Sequence, residues 1–196
     1  MTPIYNNNST NNKYFEITKK SNGDKEAGLE YADMELSELA NYESAENIVR
    51  RQILDYHVND KDGILLLGDV YLEWATEKDP EKLELAKEQY QKLIQLYEAN
   101  NLYNSRMMRY YIRSDNLPQV LIYKSMFEQD EKSIGADDWT ELGGYLLGKM
   151  YGSLTPAEEP YKYKIEGLRK ILQLAVTLNP ENPVALYNLA NYYINT

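Results

Sequence analysis

Residues 106–113 read RMMRYYIR, and within them Arg106, Arg109 and Arg113 recur three and four positions apart. On an α-helix that spacing sets three guanidiniums on one face. Each can grip a carboxylate through paired N–H donors. Met107, Met108 and Tyr111 fall on the opposite side and read as the packed face. The chemistry on offer is recognition of an acidic partner, with the chain's own Asp62 or Asp69 as competing acids. Charge reversal at Arg109 is then expected to weaken partner binding without lowering helicity.

Other reactive side chains are sparse. His57 is the single histidine, and its neighbours in DYHVND supply only Asp55 and Asp60, so it reads as a solvated residue at a helix end rather than a metal ligand or general base. FEQDEK and PAEEP read as solvated helix ends and loops. The chain contains no cysteine, which removes thiol nucleophiles and disulfides. It also has no EF-hand loop, glycine-rich phosphate loop or zinc pair. Gly144, Gly148 and Gly152 recur every four residues, a small-residue face suited to close approach of a neighbouring helix. The expectation is a protein with no catalytic residue, no metal and no cofactor, and not an enzyme.

The elements that carry these residues are helices. With 196 residues the chain has room for one domain or a short repeat array. Its 31 acidic and 21 basic residues give a formal charge of −10, which argues against nucleic acid and anionic lipid surfaces. A basic or neutral protein partner is compatible. No run of about 18 apolar residues exists to span a membrane, and MTPIYNNNSTNNKYF lacks an apolar signal core. Tyrosine dominates the aromatics, 19 against 2 Phe and 2 Trp. Its hydroxyl must reach a partner or water, which suits thin, helix-paired architectures with most of the core near solvent.

Residues 1–25 are rich in Asn, Ser, Thr and Lys and read as a flexible lead. From about Glu26 to Thr196 apolar residues recur at helical spacing, and no segment alternates as a strand. The first run carries Leu29, Ala32 and Leu36; the next carries Tyr42, Ala45, Ile48, Val49 and Ile53. Asp79-Pro80 and Asn182-Pro183 each place a capping side chain before a proline, and Asn179-Pro180 stops the helix before it. One stripe then repeats: Ile64, Leu67, Gly68 and Tyr71; Trp139, Leu142, Gly143 and Leu146; Leu186, Leu189, Ala190 and Tyr193; and more loosely Asn104, Met107, Met108 and Tyr111. A second stripe follows it as Ala86, Tyr90 and Leu93, as Leu168, Leu172 and Ala175, and as Val120, Lys124 and Phe127, where Lys124 departs from the pattern.

These two stripes resemble the helix signatures of the tetratricopeptide (TPR) repeat, most closely over residues 61–100 and 136–196. The small positions align as Asp33, Gly68, Met108, Gly143 and Ala190, spaced 35, 40, 35 and 47 residues apart, against about 34 for the family. The resemblance implies an all-α, right-handed solenoid of antiparallel helix pairs. Its units would be 26–60, 61–100, 101–135 and 136–182, with 183–196 a final single helix. The long last interval holds an insertion at 153–165, either a binding loop or a spacer. The last helix ends where the turn into its partner would begin, which suggests that the natural chain continues.

In the family the outward faces of the first helices line a concave peptide groove. By resemblance the partner-binding residues are Arg106, Arg109, Arg113, Tyr187, Asn188 and Asn191, with Tyr187 stacking and the amides binding a partner's backbone. The clamp that holds chaperone tails is not matched, since the corresponding faces offer Leu65 and Asp69, and Glu30 and Met34. The expected function is a non-enzymatic interaction scaffold in a larger, bacterial assembly, holding another protein or another copy of itself. The alternative is a regulatory or substrate-presenting arm of an enzyme complex. The Asn-rich lead favours the envelope side, with an anchor removed, over the cytoplasm.

Overall fold

A computed structural model describes residues 24–152, 165 and 167–194, which contain nine α-helices and no strand. These are α1 (Lys25–Ser37), α2 (Tyr42–Ile48), α3 (Lys61–Glu77), α4 (Lys82–Tyr97), α5 (Asn101–Arg113), α6 (Leu117–Phe127), α7 (Ala136–Gly152), α8 (Leu168–Leu178) and α9 (Pro183–Ile194). The all-α expectation is met. The lead up to residue 23 and the insertion at 153–164 lie outside the described residues. Compact packing divides the chain into two units between Tyr103 and Asn104.

In the first unit α3 and α4 form a hairpin. Ile64, Leu67 and Tyr71 of α3 and Ala86, Tyr90 and Leu93 of α4 are all buried. Gly68 lies against the Tyr90 ring, so close that a β-carbon there would sit 2.4 Å from Cε1. Helix starts follow side-chain capping. Asp24 accepts from the Ala27 N–H at 3.2 Å, and Asp60 from those of Asp62 and Gly63 at 3.1 and 2.9 Å. Asp79 caps a tight turn through Pro80, accepting from the Glu81 N–H at 3.2 Å, and α4 begins at Lys82 just beyond it.

The first hairpin, α1 and α2, corrects one sequence reading. Asp33 is exposed and does not fill the small position. Gly28 does, where a β-carbon would meet Ile53 Cγ1 at 3.1 Å. Beyond α2, residues Val49–Leu54 widen into a π-helical stretch, with the Asp55 N–H donating to the Arg50 carbonyl five residues back at 2.8 Å. The bulge sets fully buried Ile53 between Gly28 of α1 and Gly63 of α3. Lys25 then ties α1 to the start of α3, with Nζ 2.7 Å from Asp60 and 2.8 Å from Asp62. The helix therefore begins inside the segment expected to be a lead.

The second unit has one core. Met108 and Ile112 of α5, Val120 and Phe127 of α6, Trp139, Leu142 and Leu146 of α7, and Leu168 and Leu172 of α8 meet in it, with Ala185 and Tyr192 of α9. Gly143 repeats the role of Gly68, since a β-carbon would lie 2.7 Å from Leu172 Cδ2. Lys124 takes a buried position and pairs with Glu128 at 2.8 Å. Gly167, at φ 78°, turns the chain into α8 against that pair, in backbone space few other residues enter. Asn182 caps α9, accepting from the Val184 and Ala185 N–H groups at 2.9 and 3.1 Å. α9 packs on α7 and α8 through Ala185, Asn188 and Tyr192. The expected stripe on this helix is turned elsewhere: Leu186 and Tyr193 are about half exposed and Ala190 is exposed.

Candidate partner-binding groove

Within the second unit an open groove of about 540 Å³ runs over α5 and α7 and reaches α9. Ile112 and Arg113 contribute from α5, and Asp137, Thr140, Glu141, Gly144 and Tyr145 from α7. Asn182, Val184 and Asn188 close it from the side of α9. Sequence places them there simply. On α7 the core takes Trp139, Leu142, Gly143 and Leu146, which leaves 137, 140, 141, 144 and 145 as the adjoining face of the same helix.

The arginines are held by this chain's own acids. Arg109 Nε lies 2.9 Å from Asp138 Oδ1 and 3.3 Å from Glu141 Oε2, and Arg113 Nη1 lies 2.5 Å from Glu141 Oε1. These two acids stand on α7. Asp62 binds Lys25, and Asp69 accepts from the Tyr90 hydroxyl at 2.8 Å. Charge reversal at Arg109 therefore sets an acid against two acids, one of them buried, and acts on stability as well as on binding. Asp137, Asp138 and Glu141 outnumber the two guanidiniums, so this face is net acidic.

At the rim, the Tyr145 hydroxyl donates to Asp115 Oδ1 at 3.1 Å, and Lys149 pairs with the same carboxylate. Burial and then Asp115 push the Tyr145 hydroxyl up to about 12, so it remains a donor at neutral pH. The Lys149 ammonium, together with the Tyr145 hydroxyl, holds the Asp115 carboxyl below its usual range.

Asn188 is the unusual member. It is only 8% exposed, and a β-carbon on Gly144 would lie 2.9 Å from its Nδ2. Among the described residues its carboxamide has no hydrogen-bond partner, although it lines the groove. A ligand reaching into the groove can bond both the donor and the acceptor end of that amide. The small face is accounted for only in part: Gly144 admits Asn188, whereas Gly148 has nothing within 4 Å of its β-position among the described residues.

Of the six expected site residues, Arg113 and Asn188 line the groove and Arg109 backs it. Arg106 is half-buried on α5 and outside the lining. Tyr187 is 68% exposed and also outside it. Asn191 is half-buried, and its carbonyl accepts from the Tyr151 hydroxyl at 3.1 Å. Asp137, Thr140, Glu141 and Tyr145 were missed. Their signal was present in DDWTELGGY, where Asp137 and Glu141 stand four apart beside the core stripe.

His57 is exposed in the turn after the π-helical stretch. Among the described residues no three His, Asp or Glu side chains are grouped to hold a metal, and no helix is long and apolar enough to cross a membrane. The groove presents carboxylates, one guanidinium, a tyrosine hydroxyl and an amide along a helix-built trough. Comparison of the chain with protein-family models, with curated proteins and with solved structures finds no match.

Proposed function

We propose that this protein is a non-enzymatic interaction scaffold of TPR-like helical hairpins that holds an extended segment of a partner protein along the α5–α7–α9 groove. Two close approaches support the repeat reading: Gly68 with Tyr90 in the first unit and Gly143 with Leu172 in the second. A small residue on a first helix admits a large one from its partner helix in both places, the packing logic of stacked hairpins.

The observation that carries the binding reading is Asn188, which lines the groove with no hydrogen bond to its carboxamide from a described residue. An extended peptide brings a free backbone N–H and C=O at every second residue, matching both ends of that amide. The partner sits in a larger assembly, and the chemistry of that assembly resides elsewhere.

The test is an NMR titration of the ¹⁵N-labelled chain with a degenerate pool of blocked nonapeptides. Shifts clustered at Arg113, Thr140, Gly144 and the Asn188 side-chain amide are expected, and Asn188→Ala should abolish them. Shifts confined to α6 and α8, or none at all, would overturn the assignment.

A further inference from the structure

The charge of the groove points to the class of partner. Glu141 already lies against a guanidinium, with Arg113 Nη1 2.5 Å from an Oε1 that accepts no hydrogen bond, so this point on α7 stands within ion-pair reach of an arginine-type cation. Asp137 presents the same group one helical turn earlier on the same face. It is exposed, and among the described residues no cation or hydrogen-bond donor pairs with it. Asn188, nine-tenths buried and without a partner, lines the same groove. An unmatched carboxylate and an unmatched amide along one groove are the complement of a cationic side chain on an extended backbone.

Two further facts weigh on the sign. Asp137, Asp138 and Glu141 exceed Arg109 and Arg113 on this face, so an acidic peptide would meet net repulsion. The chain as a whole carries −10, which draws cations toward it and slows the approach of anions.

We infer that the groove takes a basic peptide segment, with a Lys or Arg side chain against Asp137 and the adjoining backbone amide on Asn188. This rests on the groove being the partner site. It reverses the partner charge read from the arginines alone, because their charge is spent on Asp138 and Glu141.

The full chain is applied to an immobilised array of blocked nonapeptides in which the central residue is fixed as Lys, Arg, Gln or Glu and the flanks are randomised. Retention on the Lys and Arg spots should exceed that on Gln spots by about fivefold, as expected for one partly exposed ion pair, with Glu spots lowest. Asp137→Asn, a surface change that leaves the core untouched, should bring Lys and Arg spots down to the Gln level. Asn188→Ala should lower retention on all four.

Equal retention of Gln and Lys spots, or preference for Glu, with loss in Asn188→Ala, would overturn the cation assignment and leave the groove standing. Cation preference unchanged in Asp137→Asn would also overturn it, by showing diffuse attraction to an acidic surface. Retention indifferent to Asn188→Ala on every spot would sink the groove reading itself.

Discussion

A methyl group on Gly68 would come within 2.4 Å of Tyr90 Cε1, well inside carbon–carbon contact. The ring has no room to retreat: Tyr90 is fully buried, and its hydroxyl is anchored on Asp69 at 2.8 Å. Overpacking of this kind costs about 1–3 kcal/mol, while alanine returns about 1 kcal/mol of helix propensity. The net loss for Gly68→Ala is about 0–2 kcal/mol, and the 2.4 Å approach puts it toward the upper end, read as a lower urea midpoint. Adding Tyr90→Leu should recover part of the loss. A variant as stable as the parent would mean that the two helices do not approach so closely.

The opposite sign is expected one unit on. Gly148 sits inside α7, exposed, with nothing within 4 Å of its β-position among the described residues. Here alanine gains propensity and lowers unfolded-chain entropy without a clash. Gly148→Ala should raise the thermal midpoint, corresponding to as much as about 1 kcal/mol. A drop would show a packed surface over this face.

Much of this architecture was legible because helix periodicity and small residues are local signals. Gly68 and Gly143 stand in one recurring stripe and Tyr90 and Leu172 in the other, and the resemblance to the TPR signatures implies that such small and large positions meet. Asp33 was misplaced because the π-helical stretch at Val49–Leu54 shifts the register of the facing helix, and nothing in a 3.6-residue pattern announces an extra residue per turn. The stripe on α9 matches those of earlier helices in spacing, yet burial depends on which neighbours are present, and α7 and α8 meet Ala185, Asn188 and Tyr192 instead. For the groove, sequence offered the arginine face but not its partners. Arg109 and Asp138 are 29 residues apart, and which of several acids faces an arginine is fixed by how one hairpin lies on the next.

That pairing can be tested by removing one partner. Arg109→Ala leaves Asp138, 9% exposed, with its nearest cation gone. Exposed pairs contribute about 0–1 kcal/mol and loss of one buried partner costs about 3–5. With side-chain exposures of 21% and 13%, about 2 kcal/mol is expected. Arg109→Ala combined with Asp138→Asn should be less destabilised than the sum of the single changes. Strict additivity in a double-mutant cycle would mean that the contact carries no energy.

The tie between Lys25 and Asp60 should make the first unit sensitive to acid. Burial opposes ionisation of Asp60, but Lys25 and the Gly63 and Asp62 N–H groups outweigh it and hold the carboxyl below its usual value. A carboxyl depressed in the folded state stabilises above its unfolded pKa of about 4, and that contribution fades as pH falls through the lower folded value. Lys25 has the reverse sign. Asp60 and Asp62 raise its pKa, so its contribution persists below the unfolded value of about 10.4 and fades as pH climbs past it. Asp60→Ala, which also removes the cap on α3, should cost about 1–2 kcal/mol at pH 7, and the gap to the parent should narrow below about pH 4. Urea midpoints across pH 2–7 check this. A gap that stays constant into acid would show that Asp60 acts through its shape and not its charge, because the pairing with Lys25 requires the ionised form.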